Sequence, residues 1–224
     1  MISTMRFLGT GALVTLACSS PVLAQSSLVG TSGALYELST GTGEATRISG
    51  GGLSGGEFVP DGMAFDADAN TIYGISSSDQ LITIDPSTAA TTVIGPVGFV
   101  SMKALAFDPS SKTLFATSQD GFGQVLIAID AETGHGTAVG PLGLAIYANV
   151  RGMALDSNTG ILYGSDTYHD ELVTIDMATG AGTVVGPLQF QRVDGLAFDA
   201  ATNTLLGTDS GLGGSNQLIS ILNL

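Results

Sequence analysis

One four-residue phrase recurs four times along the chain: Met63-Ala64-Phe65-Asp66, Leu105-Ala106-Phe107-Asp108, Met153-Ala154-Leu155-Asp156 and Leu196-Ala197-Phe198-Asp199. Successive copies start 42, 48 and 43 residues apart. Each interval holds only short apolar runs divided by turn residues. Such a unit is one small sheet that cannot cover its own two faces, so neighbouring units must stack. A period of this length made of strands alone predicts a β-propeller.

Each unit carries four strand signals of about five residues. The phrase itself is the first. The second is Thr71-Ile72-Tyr73-Gly74, matched by Thr113 to Ala116, Ile161 to Gly164 and Thr204 to Gly207. The third is Leu81 to Asp85, matched by Val125 to Asp130 and Leu172 to Asp176. The fourth is Thr92 to Gly95, matched by Thr137 to Gly140 and Thr183 to Gly186. At the N-terminal end Ser27 to Thr31, Leu35 to Leu38 and Thr46 to Ser49 read as strands two, three and four. The C-terminus supplies strands one to three, ending at Leu222. The expected fold is therefore all-β. It is a propeller of about five blades, made of four-stranded antiparallel repeats of roughly 45 residues with incomplete terminal blades. Only four first strands are visible, so a four-bladed ring stays open.

The run Gly-Leu-Ala-Phe-Asp, then Thr-Leu-Tyr-Gly, then Leu-Ile-Thr-Ile-Asp-Pro, then Thr-Val-Val-Gly-Pro resembles the secreted bacterial propeller repeats of the NHL, YVTN and quinoprotein-like superfamilies. The resemblance covers the chain after its first two dozen residues. It implies a propeller. For function it implies several classes, because those superfamilies include binding scaffolds, calcium-dependent lactonases and quinone-dependent dehydrogenases.

Residues 1–24 read as a signal peptide. Arg6 precedes an apolar run from Phe7 to Cys18, and Val22-Leu23-Ala24 is a small-residue cleavage pattern. The run is too short to span a bilayer, which needs about 20 residues, and no later segment is long enough. The expectation is one propeller domain over 25–224, exported to the periplasm or beyond, monomeric and without a transmembrane segment. Cys18 is the only cysteine. A lipoprotein anchor on it is the minority alternative, since Thr15 and Leu16 stand where such signals carry Leu and a small residue. Cleavage after Ala24 leaves no thiol for a disulfide, a metal or a nucleophile.

Without Arg6 the chain has five bases against 20 acids, a net charge of −15. That surface repels phosphate backbones, so nucleic acid is an unsuitable partner. The seven recurrent aspartates, Asp66, Asp108, Asp156, Asp199, Asp85, Asp130 and Asp176, each precede a turn and read as turn caps.

Antiparallel strands put turns one-to-two and three-to-four on one face. The less regular loops two-to-three and four-to-one share the other, where binding residues are expected. There Asp166-Thr167-Tyr168-His169-Asp170-Glu171 is the densest polar group. It reads as a solvated tip, as a cation site offering carboxylate oxygens from Asp166 and Asp170 together with an imidazole, or as a ligand-binding loop through Tyr168 and His169. Phe58, Phe99, Tyr147 and Phe190 recur five or six residues before strand one. With Phe122 and Tyr168 of the second-to-third-strand loops they make six aromatics assigned to this face; they pack between blades or form an aromatic ligand platform. Asp61, Lys103, Arg151 and Asp194 stand two positions ahead of each first-strand Met or Leu, at the expected channel mouth. They pair with one another, hold a polar ligand through Lys103 and Arg151, or hold a cation through Asp61 and Asp194.

Catalytic motifs are thin. No Gly-x-Ser-x-Gly or His-Glu-x-x-His occurs, His135 sits in a repetitive turn, and with no Trp and no adjacent cysteine pair nothing supports a quinone site. The leading expectation is a non-catalytic module that binds a protein, glycan or small molecule through the variable face. The alternative is a calcium-assisted hydrolase of lactonase type at the channel mouth.

Overall fold

The computed structural model describes residues 5–7, 27–31, 35–39, 45–48, 62–119, 123–209 and 216–223. These contain strands and turns, and no helix. β1 (Met5–Phe7) comes first, followed by β2 (Ser27–Thr31), β3 (Leu35–Ser39) and β4 (Ala45–Arg47). Three complete units follow. The first is β5 (Met63–Asp66), β6 (Thr71–Ile75), β7 (Gln80–Ile84) and β8 (Thr91–Pro96). The second is β9 (Met102–Asp108), β10 (Thr113–Gln119), β11 (Gln124–Asp130) and β12 (Gly136–Pro141). The third is β13 (Val150–Asp156), β14 (Ile161–Asp166), β15 (Glu171–Ile175) and β16 (Gly182–Pro187). The chain ends with β17 (Val193–Asp199), β18 (Thr204–Asp209) and β19 (Asn216–Asn223). Every strand expected from the repeat is present.

Four sheets are four-stranded and antiparallel, and β2-β3-β4 form a three-stranded sheet. In each complete unit the strand order follows the chain. The last sheet differs: β17, β18 and β19 are joined at the outer edge by β1, which pairs Met5 with Leu218 and Phe7 with Asn216. That strand was not anticipated, because it falls inside the segment read as a leader.

Period-two alternation explains why these sheets stack into a propeller ring. In β9, Leu105 and Phe107 face a core shared with Ala64, Ile75 and Leu81 of the preceding sheet. Ala104 and Ala106, on the opposite side, face a core shared with Val150, Met153 and Leu162 of the following sheet. A third core joins Ala154 and Tyr163 to Leu196 and Phe198. A fourth joins Leu35 to Met63, Ile72 and Ile82. Each inner sheet thus buries both faces, large residues one way and alanines the other, as a stacked unit must. The outer strands do not: Val93 of β8 and Val184 and Val185 of β16 are exposed. First strands pack in the order β5, β9, β13, β17, and their recurrent phrases line a small axial cavity of about 80 Å³.

Buried hydroxyls tie the sheets where the first-to-second-strand ladder shifts register. Thr117 Oγ1 accepts the Ala104 amide of its own sheet and donates to the Val150 carbonyl of the next, at 3.2 and 3.0 Å. Ser165 Oγ does the same with the Gly152 amide and the Val193 carbonyl, at 3.2 and 2.7 Å. Each serves an amide and a carbonyl that the shifted ladder would otherwise strand in the interior. Gln124 adds a two-point contact to the Val150 backbone, with its Nε2 3.1 Å from the carbonyl and its Oε1 2.5 Å from the amide.

Candidate functional site

One face of the ring is a set of repeated turns closed by aspartate. Asp85 Oδ1 accepts the amides of Ser87 and Thr88, Asp130 those of Glu132 and Thr133, and Asp176 those of Ala178 and Thr179. Asp66, Asp108, Asp156 and Asp199 cap the first-to-second-strand turns in the same manner. Hydrogen bonds to the ionised form hold Asp85, Asp130 and Asp176 below the ordinary carboxylate range. For Asp108 burial is the largest single influence and pushes upward, but the combined bonds from Ser111 and Ser110 outweigh it and the net shift is downward. All seven carboxylates are spent on the fold. Lys112 bridges units here, reaching Asp66 at 3.5 Å and Asp68 at 3.2 Å. His135 is exposed on this face.

The axial cavity is lined by Met, Leu, Ala and Phe side chains of the four phrases. Asp194, two residues ahead of Leu196 on β17, is outside this lining and only 3% exposed. Arg151 Nε lies 3.5 Å from its Oδ1, and Arg192 reaches Oδ2 at 3.7 Å. Pairing was one of the sequence expectations for this position; Arg192 was missed, because it falls outside the repeating register. Lys103 is half-buried on the neighbouring first strand. Asp61, Phe58 and Phe122 lie outside the described residues.

On the variable face the geometry centres on Asp166, which ends β14 and is 2% exposed. Its Oδ1 accepts the amides of Asn149, at 2.8 Å, and Tyr168, at 3.0 Å. One carboxylate therefore ties the fourth-to-first-strand loop to the second-to-third-strand loop. Thr167 and Asn149 add three more bonds between the loops. The tie sets Tyr147, two residues before Asn149, beside Tyr168: ring centroids are 5.6 Å apart and the planes tilt by 42°. Tyr147 is 72% exposed and Tyr168 61%. Tyr147 holds a left-handed backbone, φ 70°. His169 completes the row, edge-on to Tyr168 at 4.9 Å, with Nδ1 2.6 Å from Asp166 Oδ2.

Beside this row lies a groove of about 470 Å³, lined by Gln119, Gly123, Gln124 and the segment 141–148, which includes Tyr147. Ile146 on its rim is 78% exposed.

Asp166, His169 and Glu171 bring donor atoms within 4.8 Å of one another, the one such grouping among the described residues. Two carboxylates and an imidazole suit a transition ion better than calcium, which takes six to eight oxygens. Asp170 is not in this group: its Oδ1 accepts the Arg192 amide at 2.9 Å. Asp79 makes the corresponding, longer contact with the Met102 amide at 3.5 Å.

The aromatic series divides. Phe99 and Phe190 are partly buried against the cores between sheets, and Tyr147 faces solvent. The second ring of the exposed pair, Tyr168, comes from the other loop; it was among the aromatics assigned to this face, and the structure supplies its pairing with Tyr147.

The family model described as "Repeat of unknown function (DUF6923)" matches residues 22–223, and the chain belongs to that family. No curated protein matches it significantly. Among solved structures it is similar to a nidogen/laminin complex, with 19% identity and TM-score 0.58 over 88% of this chain and 75% of that one. It is also similar to the PQQ-bound aldose sugar dehydrogenase of Streptomyces coelicolor, with 14% identity and TM-score 0.57 over 98% of both chains. A putative gluconolactonase matches with 14% identity and TM-score 0.56 over 99% of this chain and 81% of that one. At these identities the likeness establishes the propeller fold, in agreement with the resemblance read from the repeat, and leaves function to the site.

Proposed function

We propose that this member of the repeat family is an exported, non-catalytic binding module that engages its ligand through the variable loop face. The observation that carries the reading is the exposed Tyr147–Tyr168 pair on the rim of the groove. Two large rings held side by side in solvent on ordered loops present contiguous π and apolar surface that a ligand gains by covering. A protein with exposed aromatics on fixed loops of a rigid ring has the usual layout of a recognition surface. The nidogen/laminin neighbour is a protein complex, which makes a protein partner plausible for this fold. In this reading the ring has five blades, with β2–β4 as the blade before β5, and the leader directs the chain to the periplasm or the exterior.

The second reading is a cation-assisted hydrolase, favoured by one observation, the convergence of Asp166, His169 and Glu171. A channel-mouth version is opposed by the two guanidinium groups at Asp194, since fixed positive charge there repels a metal ion.

The test is a screen of the full chain against peptide, glycan and lactone panels, run beside the Tyr147→Ser/Tyr168→Ser variant. Binding that the double variant loses while its melting temperature holds supports the module. Lactone turnover that a chelator abolishes would replace it with the hydrolase.

A further inference from the structure

We infer that the variable-face site recognises a lysine or arginine side chain within an extended peptide segment, with an apolar neighbour of that side chain entering the groove. This rests on the variable-face binding reading and specifies its ligand.

The aromatic row and the acids form one continuous surface. Tyr147 belongs to the groove lining and to the ring pair. Tyr168 contacts His169, and His169 contacts Asp166. Glu171 joins them at the start of β15. Two tilted π faces next to two carboxylates create negative potential from both sources, and a cation gains from each. A neutral sugar stacked on one ring can donate hydroxyl hydrogen bonds to a carboxylate but gains no charge–charge attraction, whereas a cation gains both from the rings and from the net negative charge. The protein's own nearby guanidiniums, Arg151 and Arg192, are directed to Asp194. The chain carries net charge −14, so its long-range field draws basic partners and repels acidic ones.

The apolar part of the ligand follows from the groove. It is lined by Leu142, Leu144 and Ala145 as well as by Gln119 and Gln124, with Ile146 exposed at the rim. A leucine-sized side chain next to the cation would cover surface that water now wets. Gln119, the last residue of β10, is half-buried on this lining, so one side-chain amide stands where a peptide backbone would need a hydrogen-bond partner; the Gln124 amide is already held by the Val150 backbone.

The experiment measures binding of the full chain to short peptides that differ at one central residue flanked by leucines: Lys, Arg, Glu or norleucine. Neutral oligosaccharides are run in parallel. The Lys and Arg peptides should bind at least about tenfold more tightly than the Glu and norleucine peptides, and the margin should shrink as salt rises. Glu171→Gln should weaken the Lys peptide by roughly threefold to tenfold and leave the norleucine peptide unchanged. Tyr147→Ala/Tyr168→Ala should remove the preference while the melting curve is retained, since both rings are exposed. Equal binding of the norleucine and Lys peptides, lost in the tyrosine variant, overturns the cation inference and leaves the binding face standing. Oligosaccharide binding alone has the same meaning. Basic-peptide binding that survives the tyrosine variant, or no binding by any probe, overturns both.

Discussion

The carboxylate of Asp166 accepts the amide of Asn149 at 2.8 Å from a different loop of the same sheet. With the Tyr168 amide on the same oxygen and His169 on the other, one buried acid organises the most exposed aromatic surface among the described residues. Asp166→Ala should leave two amides unserved and cost about 2–4 kcal/mol of stability, in line with the loss of charged hydrogen bonds at a buried site. Asp166→Asn keeps an acceptor oxygen for both amides and should recover about half of that loss. Urea melts of the three proteins check the ranking; equal stability of the Ala and Asn variants would show that the carboxylate does not tie the loops.

Ser165 tests the hydroxyl tie between sheets. Ser165→Ala removes the donor to Val193 and the acceptor for Gly152, both buried. A loss of about 1–3 kcal/mol is expected. Ser165→Thr should retain most of the stability, because Thr117 does the same work one sheet earlier. A Thr variant as unstable as the Ala variant would mean that the site tolerates only the smaller side chain.

The two aromatic roles separate by stability. Phe190 packs against the core that joins the last two sheets, so Phe190→Ala should cost about 2 kcal/mol or more. Phe99→Ala should behave alike, from its place on the core between the first two complete units. Tyr168→Ala should stay within about 0.5 kcal/mol of the parent. Thermal melts of the three variants decide it, and a Tyr168 variant as unstable as the Phe190 variant would make that ring structural.

Much of this was legible in the chain because it is local. Asp85-Pro-Ser-Thr-Ala and Asp176-Met-Ala-Thr-Gly are complete turns in five residues, so their caps could be read directly. Alternation in Leu105-Ala106-Phe107 likewise encodes two opposite faces without reference to anything distant. The hydroxyl ties were not legible: Thr117 and Ser165 look like ordinary strand ends, and their partners lie 33 and 28 residues on. Arg192 was missed for a different reason: it stands only two residues before Asp194, but at a position the repeat does not mark, so its approach to Oδ2 at 3.7 Å was not read. The loop 166–171 stood out by composition, but its pairing of Tyr168 with Tyr147 depends on Asp166 reaching Asn149. β1 was read as leader because hydrophobicity near a basic residue is the signal for export, and the same residues suit an edge strand.

That double identity of β1 has a measurable consequence. A chain beginning at Gln25 lacks Met5–Phe7, and the outer edge of β19 loses its partner from Asn216 to Leu218. Unpaired edge amides and carbonyls invite strand addition. The shortened chain should melt a few degrees lower than the full one and associate more at high concentration, read by sedimentation. Identical melting and association would show that β1 contributes nothing to the last sheet.

Acid should loosen the turn face before it disturbs the cores. Asp85, Asp108, Asp130 and Asp176 are all held below the ordinary carboxylate range in the folded chain. A depressed folded-state pKa means the unfolded chain binds protons more readily. The stabilisation from these groups is therefore complete above the unfolded value, near pH 4, and is lost as pH falls through the lower folded values. Melting temperature should hold nearly level from pH 7 to about pH 5 with respect to these groups and drop progressively below about pH 4. Replacing Asp176 by Asn should flatten the drop, because an amide keeps an acceptor for the Ala178 and Thr179 amides and has no proton to bind. Melting curves of the parent and Asp176→Asn from pH 7 to pH 2.5 make the comparison. Parallel curves for the two proteins would assign the acid loss to other carboxylates, and a parent that gained stability below pH 4 would contradict the sign of the shift.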